Sequence, residues 1–215
     1  MKSVFETVKE IKQSFRLMMD GAVAQSMRDK GLNYHLNWGA TLPRLQAKAQ
    51  EIKAMFNVSS LMFNVYELSI ALWKENVREC KILATMLMPP DEILPEVVDI
   101  WQEQIPSQEI AEQLAFNLYQ HLPFAAEKAY QWIASDKEYD QLCGFHVLSR
   151  LFMNGQEPNE RGINEYLDEA LCALQGPYPS VRKAALQSLQ RFAELGILYE
   201  RLAKSATKSI DLDIF

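Results

Sequence analysis

The segment YPSVRKAALQSLQRF, residues 178–192, opens like a loop and continues like a helix. With Arg182 set at zero and about 100° per residue, Val181, Ala185, Ser188, Leu189 and Phe192 fall on one face of that helix. Lys183, Gln187, Gln190, Arg191 and Glu194 share the opposite arc. One face is suited to burial. The other presents cations among glutamines, which face either a phosphate backbone or water.

The same 3.6-residue spacing recurs almost throughout the chain. Val4, Val8, Ile11, Phe15 and Met18 predict a first helix running on to Arg28. After the polar and aromatic connection GLNYHLNWGATLP, the period resumes in RLQAKAQEIKAMF. Further helices are expected near 59–71, 76–88, 91–104, 107–120, 123–134, 138–153, 159–174, 179–194 and 196–206. Pro89-Pro90 stops one helix, Ser107 after Pro106 is placed to cap another, and Gly176-Pro177 separates two more. NVRECKILATML (76–87) and SVRKAALQSLQRF (180–192) repeat Val-Arg at a helix start with small or aliphatic residues behind it. EYDQLCGFHVLSRLF (138–152) keeps the apolar spacing without the Val-Arg. Inner helices of HEAT-type repeats read this way, so the expected fold is all-α, a helical-repeat solenoid with a concave groove, formed by residues 1–215 as a single domain.

Composition narrows the class. With 48% hydrophobic residues, 8 Gly and 9 Pro among 215, the chain is expected to fold around a substantial core. The opening MKSVFETVKEIKQSFRLMMDG carries charges every few residues, so it reads as neither a signal peptide nor a membrane span, and the expectation is a cytoplasmic protein with no membrane partner. Cys80, Cys143 and Cys172 are odd in number and far apart, as reduced core thiols would be. The net charge of −6 is unevenly spread: residues 1–88 carry +4, residues 89–140 carry −9 and residues 141–215 carry −1. A basic face for nucleic acid would have to be gathered by folding, while the acidic middle is a candidate surface for a basic or protein partner.

Four phrases, NWGATLPRLQAKAQEI (37–52), LWKENVRECKILATML (72–87), WIASDKEYDQLCGFHVLSRL (132–151) and VRKAALQSLQRF (181–192), together resemble the DNA alkylation-repair glycosylase family, a HEAT-like all-α group. They follow the family's order and cover most of the chain. The resemblance implies a groove that binds duplex DNA and excises N3- or N7-alkylated purines by hydrolysis of the N-glycosidic bond. A carboxylate near the sugar would stabilise the oxocarbenium-like centre as the base departs. Aromatic rings would pack on the cationic lesion, and Lys or Arg would grip phosphates.

Carried over by position, the family's Trp and the Asp four residues later fall on Gln108 and Glu112 in IPSQEIAEQLAFNLY. The resemblance thus implies Glu112 as the catalytic carboxylate, on a longer arm. A further family Trp falls on Gln187, and the basic residue expected after Tyr139 is replaced by Gln141 and Leu142. Arg182, Lys183 and Arg191 remain as phosphate contacts, with Trp132 and Tyr139 as aromatic candidates near the groove and Gln108 and Gln187 as further DNA-binding candidates. Each has a plainer reading: Glu112 as a solvated helix glutamate, the cations as surface residues pairing with Glu194, and Trp38, Trp73, Trp101 and Trp132 as core.

Cys143 and His146, three residues apart, lack a second pair to complete a tetrahedral site, so no metal is expected. There is no glycine-rich phosphate loop, and no cofactor is expected. The alternative to a glycosylase is a non-catalytic HEAT-repeat scaffold that binds a protein partner.

Overall fold

The computed structural model describes residues 3–58 and 64–208. Among them are twelve α-helices, one short 3-10 turn and no strand. The chain divides into two compact units, Met1–Leu118 and Tyr119–Phe215. The tail 209–215 lies outside the described residues.

The first unit holds α1 (Val4–Leu17), α2 (Gly21–Asp29), α3 (Leu42–Val58), α4 (Val65–Lys74), α5 (Arg78–Leu87), α6 (Pro95–Glu103) and α7 (Gln108–Asn117). The expected single helix to Arg28 is in fact two. Asp20 leaves the helical conformation and its carboxylate accepts from Val23 N at 3.0 Å, capping α2. The helix expected from 91 begins at Pro95, and the one expected to reach 120 ends at Asn117. The beginning of the helix expected near 59–71 falls on residues 59–63, outside the described set; α4 starts after the capping residue Asn64.

α5 is the centre of this unit. It packs on α3, α4 and α7, and eight of its ten residues are buried. Next to it, Trp73 of α4 stacks on Trp101 of α6 with ring centroids 4.3 Å apart and planes 9° from parallel. Lys81 stands 4.4 Å above the Trp73 ring and donates to the Trp73 carbonyl at 2.8 Å, while the indole N–H reaches Gln104 at 2.9 Å. The stack thus buries two large rings and leaves the Trp73 indole N–H satisfied.

The second unit holds a 3-10 turn (Tyr119–His121), α8 (Ala125–Ile133), α9 (Glu138–Met153), α10 (Glu160–Gln175), α11 (Pro179–Ala193) and α12 (Ile197–Lys208). α9 is its centre, packed on α8 and α11. Close approach to α8 requires Gly144: a Cβ there would stand 2.7 Å from Ile133 Cγ2 and 2.8 Å from the Ala129 carbonyl oxygen. Between α9, α10, α11 and α12, Phe152, Tyr166, Phe192 and Tyr199 form a chain of ring contacts with centroids 5.0 to 5.5 Å apart. All four tryptophans are buried, as are Cys80 and Cys143. Cys172, expected in the core, is exposed: it lies on the outward arc of α10, whose inward arc is Tyr166, Leu167, Ala170 and Ala173.

Candidate nucleic-acid interface

α11 keeps the two faces that its sequence prescribes. Val181, Ala185, Ser188, Leu189 and Phe192 are at most 1% exposed, whereas Lys183, Gln187, Gln190 and Glu194 face solvent. Ser188 is tolerated inside because its hydroxyl accepts from the Tyr166 hydroxyl at 2.9 Å. The cations of this helix differ in their commitments. Arg182 is half-buried and donates to the Gly176 carbonyl at 2.7 Å, tying α11 back to the end of α10. Arg191 pairs with Glu194 at 2.6 Å in the open, a contact of little energetic weight. Lys183 is exposed at the first turns of α11.

Across from α11, α9 contributes a second row. Tyr139, His146 and Arg150 are spaced by seven and four residues, which sets them within about 40° on one stripe, and all three are half-buried. The imidazole of His146 is held down to a pKa of about 4, first by burial and then by the positive charges of Arg150 and Lys183. It is therefore neutral at physiological pH. The Tyr139 hydroxyl is pushed up by burial and by neighbouring Glu138. Trp132 of α8 lies in the core, 6% exposed, with its ring 4.8 Å from that of Tyr119. Reasoning from the sequence considered His146 only as a partner of Cys143 in a metal site and passed over Arg150; the seven-then-four spacing was the available signal.

Gln108 and Glu112 belong to the first unit. Gln108 is the first residue of α7, after the Ser107 cap, and is exposed; Glu112 is half-buried. One turn apart, they meet: the Gln108 amide donates to Glu112 Oε1 at 2.8 Å. The two form a hydrogen-bonded amide-carboxylate pair on one edge of the helix.

A buried polar network fixes the start of α7, and it was not foreseen. Arg78, 1% exposed, donates to both oxygens of Glu109 at 2.8 and 2.6 Å and to the Ala40 carbonyl at 2.8 Å. The Tyr34 hydroxyl donates to the same Glu109 carboxylate and lies 2.7 Å from the Ser107 hydroxyl. Burial, with the Glu109 charge, drives the Tyr34 hydroxyl far above its ordinary range, so it stays protonated as a donor. Glu79, wholly buried, accepts from the backbone N–H of Trp38 and Ala40 at 3.1 and 3.2 Å. Its other oxygen is buried with no hydrogen-bond partner.

The phrase Asn37-Trp38-Gly39 now has a physical basis. The Asn37 side chain accepts from Gly39 N at 2.8 Å, the Trp38 carbonyl accepts from Asp20 N at 2.9 Å, and Gly39 adopts φ 77°. Any Cβ at Gly39 would collide with the Asp20 carbonyl and stand 2.9 Å from Ala24 N. The phrase is the joint that docks the 30–41 connection onto α2 and α5.

Among the described residues helix packs on helix and no strand occurs, the fold of a HEAT-like all-α protein. The chain belongs to the DNA alkylation repair enzyme family, whose model matches residues 11–184. Among solved structures, it is similar to a member of a family of proteins related to the HEAT-like repeat DNA glycosylases with affinity for branched DNA structures. The TM-score is 0.77 at 16% identity, over 93% of this chain and 81% of that one. No curated protein matches the chain. Among the described residues, no helix is long and apolar enough to cross a membrane.

Proposed function

We propose that this protein binds DNA through the exposed arc of α11, with Lys183 as the principal phosphate contact and Arg182, Arg191 and Gln187 beside it. The observation that carries the reading is the two-faced α11: an apolar face sealed into the core and a solvent face of lysine, arginine and glutamine, in a chain of the DNA alkylation repair enzyme family. A guanidinium has five N–H donors, so Arg182 and Arg191 keep capacity for a phosphate beyond their present partners. Tyr139 contributes from α9. The affinity of the similar protein's family for branched DNA makes branched and plain duplexes the two substrates to compare.

A second reading, excision, rests on the Glu112 carboxylate. In this reading Glu112 leaves Gln108 and stabilises positive charge at the sugar of an N3- or N7-alkylated purine. Gln108 then reaches the lesion's sugar or phosphate. Base release from methylated duplex DNA tests it: release by the protein and its loss in Glu112→Gln, with binding retained, supports excision. No release by the wild-type protein alongside salt-sensitive binding leaves DNA binding without cleavage. If DNA is not bound at all, the scaffold reading stands, with a protein partner at the acidic segment 89–140.

A further inference from the structure

We propose that the groove between α8, the α9–α10 connection and the start of α10 docks an extended basic segment of a partner protein. An arginine or lysine of that segment sits among Tyr130, Glu157 and Glu165, and an apolar side chain fills the adjoining hollow. The site lies wholly within the second unit and does not depend on DNA binding by α11.

Two hollows make the groove. The first, of about 400 Å³, is lined by Tyr130 of α8, by Gln156, Glu157 and Asn159 of the connection, and by Arg161 and Glu165 of α10. The second, of about 330 Å³, is lined by Leu122, Pro123, Phe124, Glu127 and Leu151. Ala126 and Gln156 line both, so the hollows share a wall. That wall is held by the fold itself. Gly155 turns the chain at φ 76°, and Gln156 N donates back to the Leu151 carbonyl at 3.0 Å. Glu157 accepts from the Tyr199 hydroxyl at 2.9 Å, and the Asn159 side chain caps α10 by accepting from Gly162 N at 2.8 Å. The Tyr130 hydroxyl donates to the Gly162 carbonyl at 3.0 Å, joining α8 to α10. A groove already shaped in this way spares a ligand the cost of ordering it.

The charge of the groove selects its occupant. Glu127, Glu157 and Glu165 line it against a single cation, Arg161. The Arg161 side chain is 92% exposed and meets Glu165 only at 4.0 Å, a contact of little weight. Negative charge is felt in the first hollow: the Tyr130 hydroxyl is pushed up to about 12 by burial and then by Glu165. Further along α10, the Glu169 carboxyl is raised by burial and then by Glu165 and Asp168. A guest cation relieves this crowding, and Glu157, with one oxygen on Tyr199, has lone pairs left to accept from it. The second hollow offers Leu122 and Leu151 to an apolar side chain. On an extended chain, side chains two residues apart point the same way about 7 Å apart, so an apolar-x-basic spacing suits two hollows with a common wall. No residue of α11 lines either hollow, which leaves the Lys183 arc open while the groove is filled.

The test follows the amide spectrum of the isotope-labelled protein by NMR while acetyl-Leu-Ala-Arg-Ala-amide is added. Acetyl-Leu-Ala-Gln-Ala-amide and free arginine amide are the comparison ligands. The proposal predicts saturable shifts at the Tyr130, Gly162 and Glu165 amides with the arginine peptide, and weaker binding of both comparison ligands. Glu165→Gln, which removes one partly exposed charge, should weaken the arginine peptide about fivefold. Ala126→Leu, which fills the shared wall, should abolish the shifts while the amides of α11 and α12 keep their wild-type positions. Equal binding of the glutamine peptide, or unchanged affinity in both variants, overturns the proposal. Shifts centred on another face overturn it too, and arginine amide that binds as tightly as the peptide makes the groove a small-molecule site instead.

Discussion

Arg78 lays two guanidinium N–H groups on the two oxygens of Glu109, 31 residues further along the chain, at 2.8 and 2.6 Å. The pair is buried at the arginine end and holds α5 against the first turn of α7. Removing one partner strands a charge away from water, which costs about 3 to 5 kcal/mol. Arg78→Ala should therefore lower the unfolding free energy by that amount, read in a urea titration as a lower midpoint. A loss of less than about 1 kcal/mol would mean that the network contributes little net stability.

Gly144 sits where α9 meets the backbone of α8, with no room for a methyl group. Gly144→Ala forces the helices apart and should cost about 1 to 3 kcal/mol despite alanine's better helix propensity. Thermal unfolding checks this; a variant as stable as the wild type would show that the contact can relax.

The three thiols should react very differently. Cys80 and Cys143 are inaccessible, and burial pushes the Cys80 thiol up to about 12, with Glu75 adding to the effect. Only Cys172 is exposed. A thiol reagent at neutral pH should modify one cysteine in the native protein and three in denaturant, and Cys172→Ser should abolish the native reaction. Rapid modification of a second cysteine in the folded protein would contradict the packing of α5 or α9.

These contrasts show where the sequence was readable. The helices past residue 64 follow from apolar spacing and local punctuation, as at Ser107 and Gly176-Pro177, because those signals act within one turn. The break at Asp20 was obscured because the apolar period of α1 carries on to Met18, and only the Asp20-Gly21 pair marks the stop. Arg78, Glu79 and Glu109 read as solvated charges because their partners lie 31 to 41 residues away, and burial of a charge leaves no local trace. The repeated Val-Arg was a real signal with a different meaning at each site. Arg182 donates to the Gly176 carbonyl of the connection just before its own helix, whereas Arg78 reaches the Ala40 carbonyl in the connection before α3, 38 residues back. Of the candidate interface, the two faces of α11 were legible and the α9 row was not, since spacing along α9 does not show which helix packs against it.

His146 also sets a pH dependence of stability. Its folded midpoint of about 4 lies below the ordinary 6.5, so between these values the unfolded chain binds a proton that the folded chain does not. Its contribution is present in full above pH 6.5 and is lost as pH falls toward 4. His146→Gln should flatten that part of the pH-stability curve; an unchanged curve would show that the imidazole is not held neutral by the fold.

The most direct test of the central claim is the salt dependence of DNA binding by the wild-type protein and by Lys183→Ala/Arg191→Ala. If α11 grips phosphates, log affinity falls linearly with log salt, and the double variant binds more weakly with a slope smaller by about 2. Wild-type affinity that ignores salt, or a variant with the wild-type slope and affinity, would contradict the assignment of this face to DNA.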